Sequence, residues 1–184
     1  MDNGESSYRR FLSGEDEGML DLIREYQDGL ILYINSIVRN IHTAEDIAED
    51  TFTELAVRHP VFSGRSSFKT WLYSIARNKT GKFLRRGSSR VNIPEEIPDD
   101  IKSKENVEDE YIKNEQRNMI YRSLRTIKPE YGQVIYLSYF ENMSNEESAV
   151  IMKKTKRQIE ALLYNARKAL KTDLERSGFE YGKS

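Results

Sequence analysis

Apolar residues recur at steps of three and four along most of this chain, which predicts helices throughout. Met19, Leu22, Ile23, Tyr26, Leu30, Tyr33, Ile34, Ile37 and Val38 share one stripe, so a long helix is expected from about Glu15 to Asn40, with Gly29 interrupting it but keeping its period. The polar start, residues 1–14, is expected to fray, with at most a helical turn around Tyr8 to Leu12. After a short turn Thr43 is placed to cap a second helix, with Asp46 in its first turn. Its inner stripe is Ala44, Ile47, Ala48, Thr51 and Leu55, which leaves Glu45, Asp46, Glu49, Asp50 and Glu54 outward. RHPVFSGRSS, residues 58–67, reads as a loop because Pro60, Gly64 and three serines stop both neighbours. A third helix, from about Ser67 to Arg86, puts Phe68, Leu72, Ile75, Ala76 and Phe83 on a buried stripe and turns Lys69, Tyr73, Arg77 and Lys82 outward.

Residues 87–112 show no stripe until Val107 and Tyr111, and carry two prolines among many acids. They read as a linker. Beyond it four more helices are expected: about Glu108 to Ile127; one opening at Pro129 with Val134, Ile135, Leu137 and Tyr139; one capped by Ser144 with Glu147 and ending near Met152; and one capped by Thr155 with Gln158 and ending near Arg176. Two closely spaced capped helices, the second basic, form a helix-turn-helix signature. The fold expected is all-α: two small helical domains, residues 1–90 and 112–184, joined by a flexible acidic linker over 91–111, the second domain a helix-turn-helix.

Charge sharpens this picture, although the net value is only -1. Residues 1–62 hold 13 acids against 5 bases, and residues 91–115 hold 9 acids against 3 bases. Residues 63–90 carry eight bases and no acid, and residues 153–171 carry seven bases against Glu160. Two separated basic patches imply two nucleic-acid contacts, since each can release counterions from phosphates independently. Plain solvation of charged helices is the alternative. The loop entering the basic helix is either a connector or an anion site, and the acidic face of the second helix serves either solubility or docking of a basic partner.

Other chemistry finds little support in the residues. No run of roughly 18 apolar residues exists to span a membrane, and MDNGESSYRR lacks the order of a secretory signal. There is no cysteine, and mean hydropathy is -0.72, so the cytoplasm is the expected compartment. Only His42 and His59 remain as nitrogen ligands, and Asp46, Glu49 and Asp50 without a spaced histidine make a poor transition-metal site. No glycine-rich phosphate cradle, nucleophile elbow or Cys/His pair is present, so neither metal, cofactor nor enzymatic activity is expected.

In the second helix of the last pair, Ile159, Leu163, Ala166 and Leu170 fall inward, leaving Lys156, Arg157, Glu160, Ala161, Tyr164, Arg167 and Lys168 for a major groove, with Tyr164 either on DNA or in packing. Trp71, beside Phe68, Leu72 and Ile75, suits a core role or a stacking wedge.

AEDIAEDTFTELAVR (44–58) followed by FKTWLYSIARNKTGKFLRR (68–86) resembles the second conserved region of bacterial RNA polymerase sigma factors of the extracytoplasmic-function (ECF) group. Residues 128–170, from Lys128-Pro129-Glu130-Tyr131 through Tyr139-Phe140-Glu141 to Tyr164-Asn165-Ala166-Arg167-Lys168-Ala169-Leu170, resemble its fourth region. Departures are Gly81 for a usual aspartate, Ser148 for an apolar residue, Lys153 for the turn glycine, Lys154 for isoleucine, Glu160 where lysine is frequent, and Leu162 and Asn165 for common arginines.

The resemblance implies a sigma factor that lends promoter recognition to core RNA polymerase. Asp46, Glu49 and Asp50 would dock on the clamp helices of the β′ subunit, with the β subunit as a further partner. Ser63, Arg65, Lys69, Tyr73, Arg77, Asn78, Lys82 and Arg85 would hold the non-template strand of the minus-ten element, Asn78 at a position that helps hold a flipped base. Lys156, Arg157, Glu160, Tyr164, Arg167 and Lys168 would read the minus-thirty-five duplex. An inhibitory anti-sigma protein is implied as well. The competing readings are a helix-turn-helix regulator that never meets polymerase, and a sigma mimic that titrates an anti-sigma partner.

Overall fold

The computed structural model describes residues 3–87 and 119–179, and the regular elements among them are helices. They are α1 (Asn3–Leu12), α2 (Glu17–Val38), α3 (Ile41–Arg58), α4 (Phe68–Gly87), α5 (119–126 as far as described), α6 (Pro129–Ile135), α7 (Asn145–Met152) and α8 (Lys156–Arg176). The linker expected at 91–111 and the stripe residue Ile112 lie outside the described residues.

Helix α2 is the spine. Met19, Leu22, Tyr26, Leu30, Tyr33 and Ile34 are buried along it, and Ile23, Ile31, Leu32, Ile37 and Val38 pack against the same core. Such a helix is apolar over more than one face and needs cover on several sides. α1, α3 and α4 supply one part of that cover and α6 another. α2 ends where Arg39 turns left-handed at φ 57° and its N–H bonds the Asn35 carbonyl at 2.9 Å.

The expectation of a frayed start does not hold. Residues 3–12 form a full helix because Tyr8 is buried (1% exposed) and its hydroxyl donates to the Pro60 carbonyl at 2.8 Å, a contact 52 residues away that no local pattern reveals. Burial pushes the Tyr8 phenol up to about 12. The α1–α2 crossing is close: a Cβ at Gly18 would lie 2.3 Å from the Ser7 carbonyl oxygen and 2.6 Å from the Phe11 nitrogen. Only glycine fits there.

Helix α3 begins two residues before the expected Thr43. Asn40 is its cap, and its side chain accepts from the Thr43 N–H at 2.9 Å, so Thr43 supplies the capped donor instead of the cap. The inner stripe of Ala44, Ile47, Ala48, Thr51 and Leu55 is buried as expected, with Phe52 beside it. In α4, Phe68, Leu72 and Ala76 are buried, and the helix runs through Gly81 unbroken. Two assignments fail on this helix: Phe83 is 43% exposed, and Tyr73, expected outward, is 1% exposed. Trp71 takes the packing role, its ring 5.3 Å from Phe68, 5.6 Å from Tyr8 and 5.2 Å from Phe62.

The C-terminal elements follow the sequence closely. Pro129 opens α6, which continues into one π-helical turn, Tyr136–Phe140, closed by the Glu141 N–H on the Tyr136 carbonyl at 3.1 Å. Val134, Ile135 and Leu137 are buried, while Tyr139 is exposed. Ser144 with Glu147 and Thr155 with Gln158 both form complete capping boxes, and α7 and α8 end at Met152 and Arg176 as their periods predict.

This half is folded against the first. Tyr33 lies between Tyr73 at 5.3 Å and Tyr136 at 6.2 Å between ring centroids, and the Tyr136 hydroxyl donates to the Gly29 carbonyl at 3.3 Å. Arg39 donates to the Ile127 carbonyl at 2.7 Å, and Arg125 to the Arg39 carbonyl at 3.3 Å. The buried apolar residues of both halves thus belong to one core.

The turn between α7 and α8 holds a non-glycine residue in strain. Lys153 sits at φ 54°, ψ 46°, a left-handed conformation that costs an L-residue about 1–2 kcal/mol. Lys153→Gly is therefore expected to stabilise the protein by about 1 kcal/mol, read as a higher urea midpoint at unchanged slope.

Candidate nucleic-acid interface

The basic surface starts at the loop before α4. Phe62 anchors that loop on Phe68, 5.5 Å between centroids, while Ser63, Gly64 and Arg65 stand exposed. Gly64 turns at φ 68°. Ser67 then caps α4, its hydroxyl accepting from the Thr70 N–H at 3.2 Å. Further along, Asn78, Lys82, Arg85 and Arg86 are exposed. Lys79 pairs with Glu54 of α3 at 2.8 Å, a hydrogen bond that holds the Glu54 carboxyl below its usual range. Arg77 is half-buried beside Tyr33, and its Nε has no partner among the described residues.

The N-terminal turns of α4 are covered from across the chain. Lys69 Nζ meets Glu141 Oε2 at 2.7 Å and the Glu141 carbonyl at 3.0 Å, and it also stands 5.8 Å from the Tyr73 ring centre. The Tyr73 hydroxyl is hydrogen-bonded to the same carboxylate; burial, with Glu141 adding to it, drives its pKa far above the usual tyrosine value, so it stays a donor. The hydroxyls of Ser67 and Thr70 donate to Glu147 Oε1 at 3.1 and 3.2 Å. Glu147 Oε2 meanwhile accepts from the backbone N–H and the hydroxyl of Ser144, both at 2.9 Å. Burial acts to raise the Glu147 carboxyl, yet these four donors outweigh it and leave it below its ordinary range. Of the minus-ten set, then, Ser63, Arg65, Asn78, Lys82 and Arg85 lie on an open surface, while Lys69 and Tyr73 lie under the C-terminal half.

The other two surfaces stand clear. Asp46, Glu49 and Asp50 are exposed together on α3. On α8, Lys156, Arg157, Glu160, Tyr164, Arg167 and Lys168 are all exposed. Two of these are already engaged: Lys156 meets Glu146 at 2.5 Å, and Arg167 Nε donates to the Tyr139 hydroxyl at 2.5 Å with its guanidinium 5.5 Å from that ring. Thr126 donates to Asp173 at 2.8 Å, which ties α5 to α8. Among the described residues no three His, Asp or Glu side chains gather where they could hold a metal ion, and no helix is long and apolar enough to cross a membrane.

Glu141 and Glu147 are the residues that sequence reasoning missed as partners of the basic helix. Glu147 is legible as a capping residue and Glu141 as part of a family-like run, but Lys69 lies 72 residues from Glu141 and Ser67 lies 80 residues from Glu147. No local signal carries such a pairing.

Comparison with known proteins is consistent along the chain. Residues 22–90 match the model for sigma-70 region 2 and residues 117–170 the model for sigma-70 region 4. The chain is 27% identical over 164 residues to RNA polymerase sigma factor YlaC of Bacillus subtilis, covering 85% of this chain and 92% of that one. It is 25% identical over 170 residues to ECF RNA polymerase sigma factor SigW of the same organism, covering 88% and 91%. Its fold is that of CnrH in a complex with the cytosolic domain of CnrY, with a TM-score of 0.69 at 18% identity over 95% of this chain and 99% of that one. It is likewise similar to the sigma factor RpoE in complex with the anti-sigma factor NepR from Bartonella quintana, with a TM-score of 0.63 at 20% identity over 84% and 97%.

The depressed carboxyls set a direction for pH. Glu54 and Glu147 are held below their unfolded value, so the stability they contribute is present above about pH 4.3 and is lost as pH falls through their folded pKa values. Urea midpoints measured from pH 7 down to pH 3 should fall mainly below about pH 4, and Glu147→Gln should shallow that fall while keeping the α7 cap.

Proposed function

The chain belongs to the ECF group of RNA polymerase sigma factors, and we propose a division of its promoter-recognition work among three separate surfaces. As a sigma factor it binds core polymerase and promoter DNA and confers transcription initiation. The acidic face of α3, with Asp46, Glu49 and Asp50, docks on the β′ clamp helices of polymerase, with the β subunit as a further contact. The loop at Ser63 and Arg65 and the α4 residues Lys69, Tyr73, Arg77, Asn78, Lys82 and Arg85 hold the opened minus-ten strand. A single strand exposes base edges and faces that side chains of this kind can hydrogen-bond and stack against.

Helix α8 enters the major groove of the minus-thirty-five duplex, where Lys156 and Arg157 suit guanine edges and Glu160 a cytosine amino group. Residues 1–90 and 112–184 are the two working domains. The protein works in the cytoplasm beside polymerase, contributes recognition and not catalysis, and is held in check by an anti-sigma protein; the similar RpoE forms a complex with the anti-sigma factor NepR.

The observation that carries this reading is the ordered match of regions 2 and 4 along one chain whose acidic, basic and helix-turn-helix surfaces lie on α3, α4 and α8. A helix-turn-helix regulator acting without polymerase leaves residues 22–90 without a task. Core polymerase with this protein should yield a promoter-dependent transcript absent with polymerase alone; failure to do so on promoters selected by the reconstituted holoenzyme defeats the reading. Asp46→Lys with Asp50→Lys should lower polymerase capture while leaving duplex binding by α8 intact. Lys156→Ala should change sequence preference at a cost of about 1–3 kcal/mol at its base pair, whereas Lys171→Ala should weaken all sites alike and reduce the salt slope by about 1.

A further inference from the structure

Arg167 is a cation of α8 that is held in place without being neutralised. Its Nε donates to the hydroxyl of Tyr139, 28 residues earlier, at 2.5 Å, and the guanidinium carbon stands 5.5 Å from the centre of that ring. Lys156 and Lys171, by contrast, meet the carboxylates of Glu146 and Glu175 at 2.5 and 3.7 Å. Among the described residues no carboxylate pairs with Arg167, so its full charge and the N–H groups of both Nη atoms are left for an anion.

The partner is as open as Arg167 itself. Tyr139 is 53% exposed and belongs to the π turn Tyr136–Phe140, a kind of turn that recurs at functional sites. Within that turn buried Tyr136 stacks on Phe140 at 5.1 Å and 7°, which fixes the backbone and leaves Tyr139 to reach α8. A hydroxyl that accepts from a cation is polarised and donates more strongly. The hydrogen of this one has no acceptor among the described residues.

Position along α8 decides which anion the pair suits. Lys156, Glu160, Tyr164 and Arg167 follow one another at steps of four, four and three, so they share one side of the helix. Lys156 opens the helix, and Arg167 lies about 16–17 Å farther along its axis at 1.5 Å per residue. The major groove is only about 12 Å wide. With the first turns of α8 in the groove, as a helix-turn-helix places them, Arg167 and Tyr139 fall past the base edges and beside the sugar-phosphate backbone.

We infer that Tyr139 and Arg167 form a composite phosphate site flanking the minus-thirty-five segment, the Arg167 Nη groups and the Tyr139 hydroxyl donating to the same phosphate. The inference rests on the assignment of α8 to that duplex. It moves Arg167 from reading bases to setting register, and it brings into the DNA interface a residue that lies outside the recognition helix. Tyr139 orients the guanidinium fork end-on, the geometry in which arginine grips a phosphate with two bonds.

Fluorescence anisotropy on the full-length protein tests this with two labelled duplexes of about 20 base pairs, equal in composition and different in order. Tyr139→Phe keeps the ring and removes only the hydroxyl, and helical circular dichroism checks that the fold is kept. Binding to both duplexes should weaken about tenfold, as expected for a hydrogen bond to a charged group, with the salt slope unchanged. Arg167→Ala should weaken both and reduce the slope by about 0.9, the share of one phosphate. In an Arg167→Ala chain, Tyr139→Phe should cost at most about twofold, because the two groups act on one phosphate.

Full affinity in Tyr139→Phe beside a weakened Arg167→Ala overturns the composite site and leaves α8 on the duplex. The same loss from Tyr139→Phe with and without Arg167 marks two independent effects, and it overturns the site as well. A loss confined to one duplex assigns the pair to bases and not to phosphate. If Lys156→Ala, Arg167→Ala and Tyr139→Phe all bind like the parent, the assignment of α8 falls and the inference with it.

Discussion

One helix too apolar to be covered from a single side governs this structure. α2 buries Leu22, Tyr26, Leu30, Tyr33 and Ile34 and packs Ile23, Ile31, Leu32, Ile37 and Val38 against the same core. Each fully buried large side chain is favoured by roughly 1.5–3 kcal/mol over exposure. The N-terminal helices alone leave part of that surface to the C-terminal half, whose α6 and π turn lie against it. Tyr33, between Tyr73 and Tyr136, marks the junction.

Closing an apolar junction over a charged helix creates a polar problem, and Glu141 answers it. A carboxylate taken out of water is costly unless its oxygens are met. Here the Lys69 ammonium and the Tyr73 hydroxyl meet it, and burial keeps that phenol protonated and able to donate. The acid that meets the first turns of the basic helix therefore comes from the other half of the protein, while Glu54 of α3 pairs with Lys79 farther along. Sigma function makes that arrangement consequential, because the groups so satisfied belong to the surface assigned to the opened strand.

Much of the fold was legible because helices and their caps are local. The capping boxes at Ser144 and Thr155, the start at Pro129 and the ends at Met152 and Arg176 all depend on residues within four positions of one another. The cap of α3 was misplaced because Asn40 and Thr43 both suit that role, and the choice turned on which side chain reaches an N–H three residues on. Phe83 was placed inside from its period, yet it lies near the end of α4 and stays largely exposed. The order of α1 is not written locally, because its anchor, the Tyr8 bond to Pro60, spans 52 residues.

Read alone, the amino-acid order determined an all-helical chain, two basic surfaces and an acidic one, a helix-turn-helix pair and the resemblance to ECF sigma factors, since periodicity, caps and charge blocks are written at short range. Tertiary structure decided which of those surfaces are open. Asn78, Lys82 and Arg85 face outward, while Tyr73 is sealed beneath Tyr33 and Glu141 and Lys69 is paired with Glu141, 72 residues along the chain. Contacts of that separation follow from how α2 is covered on both sides, and helical periodicity does not encode them.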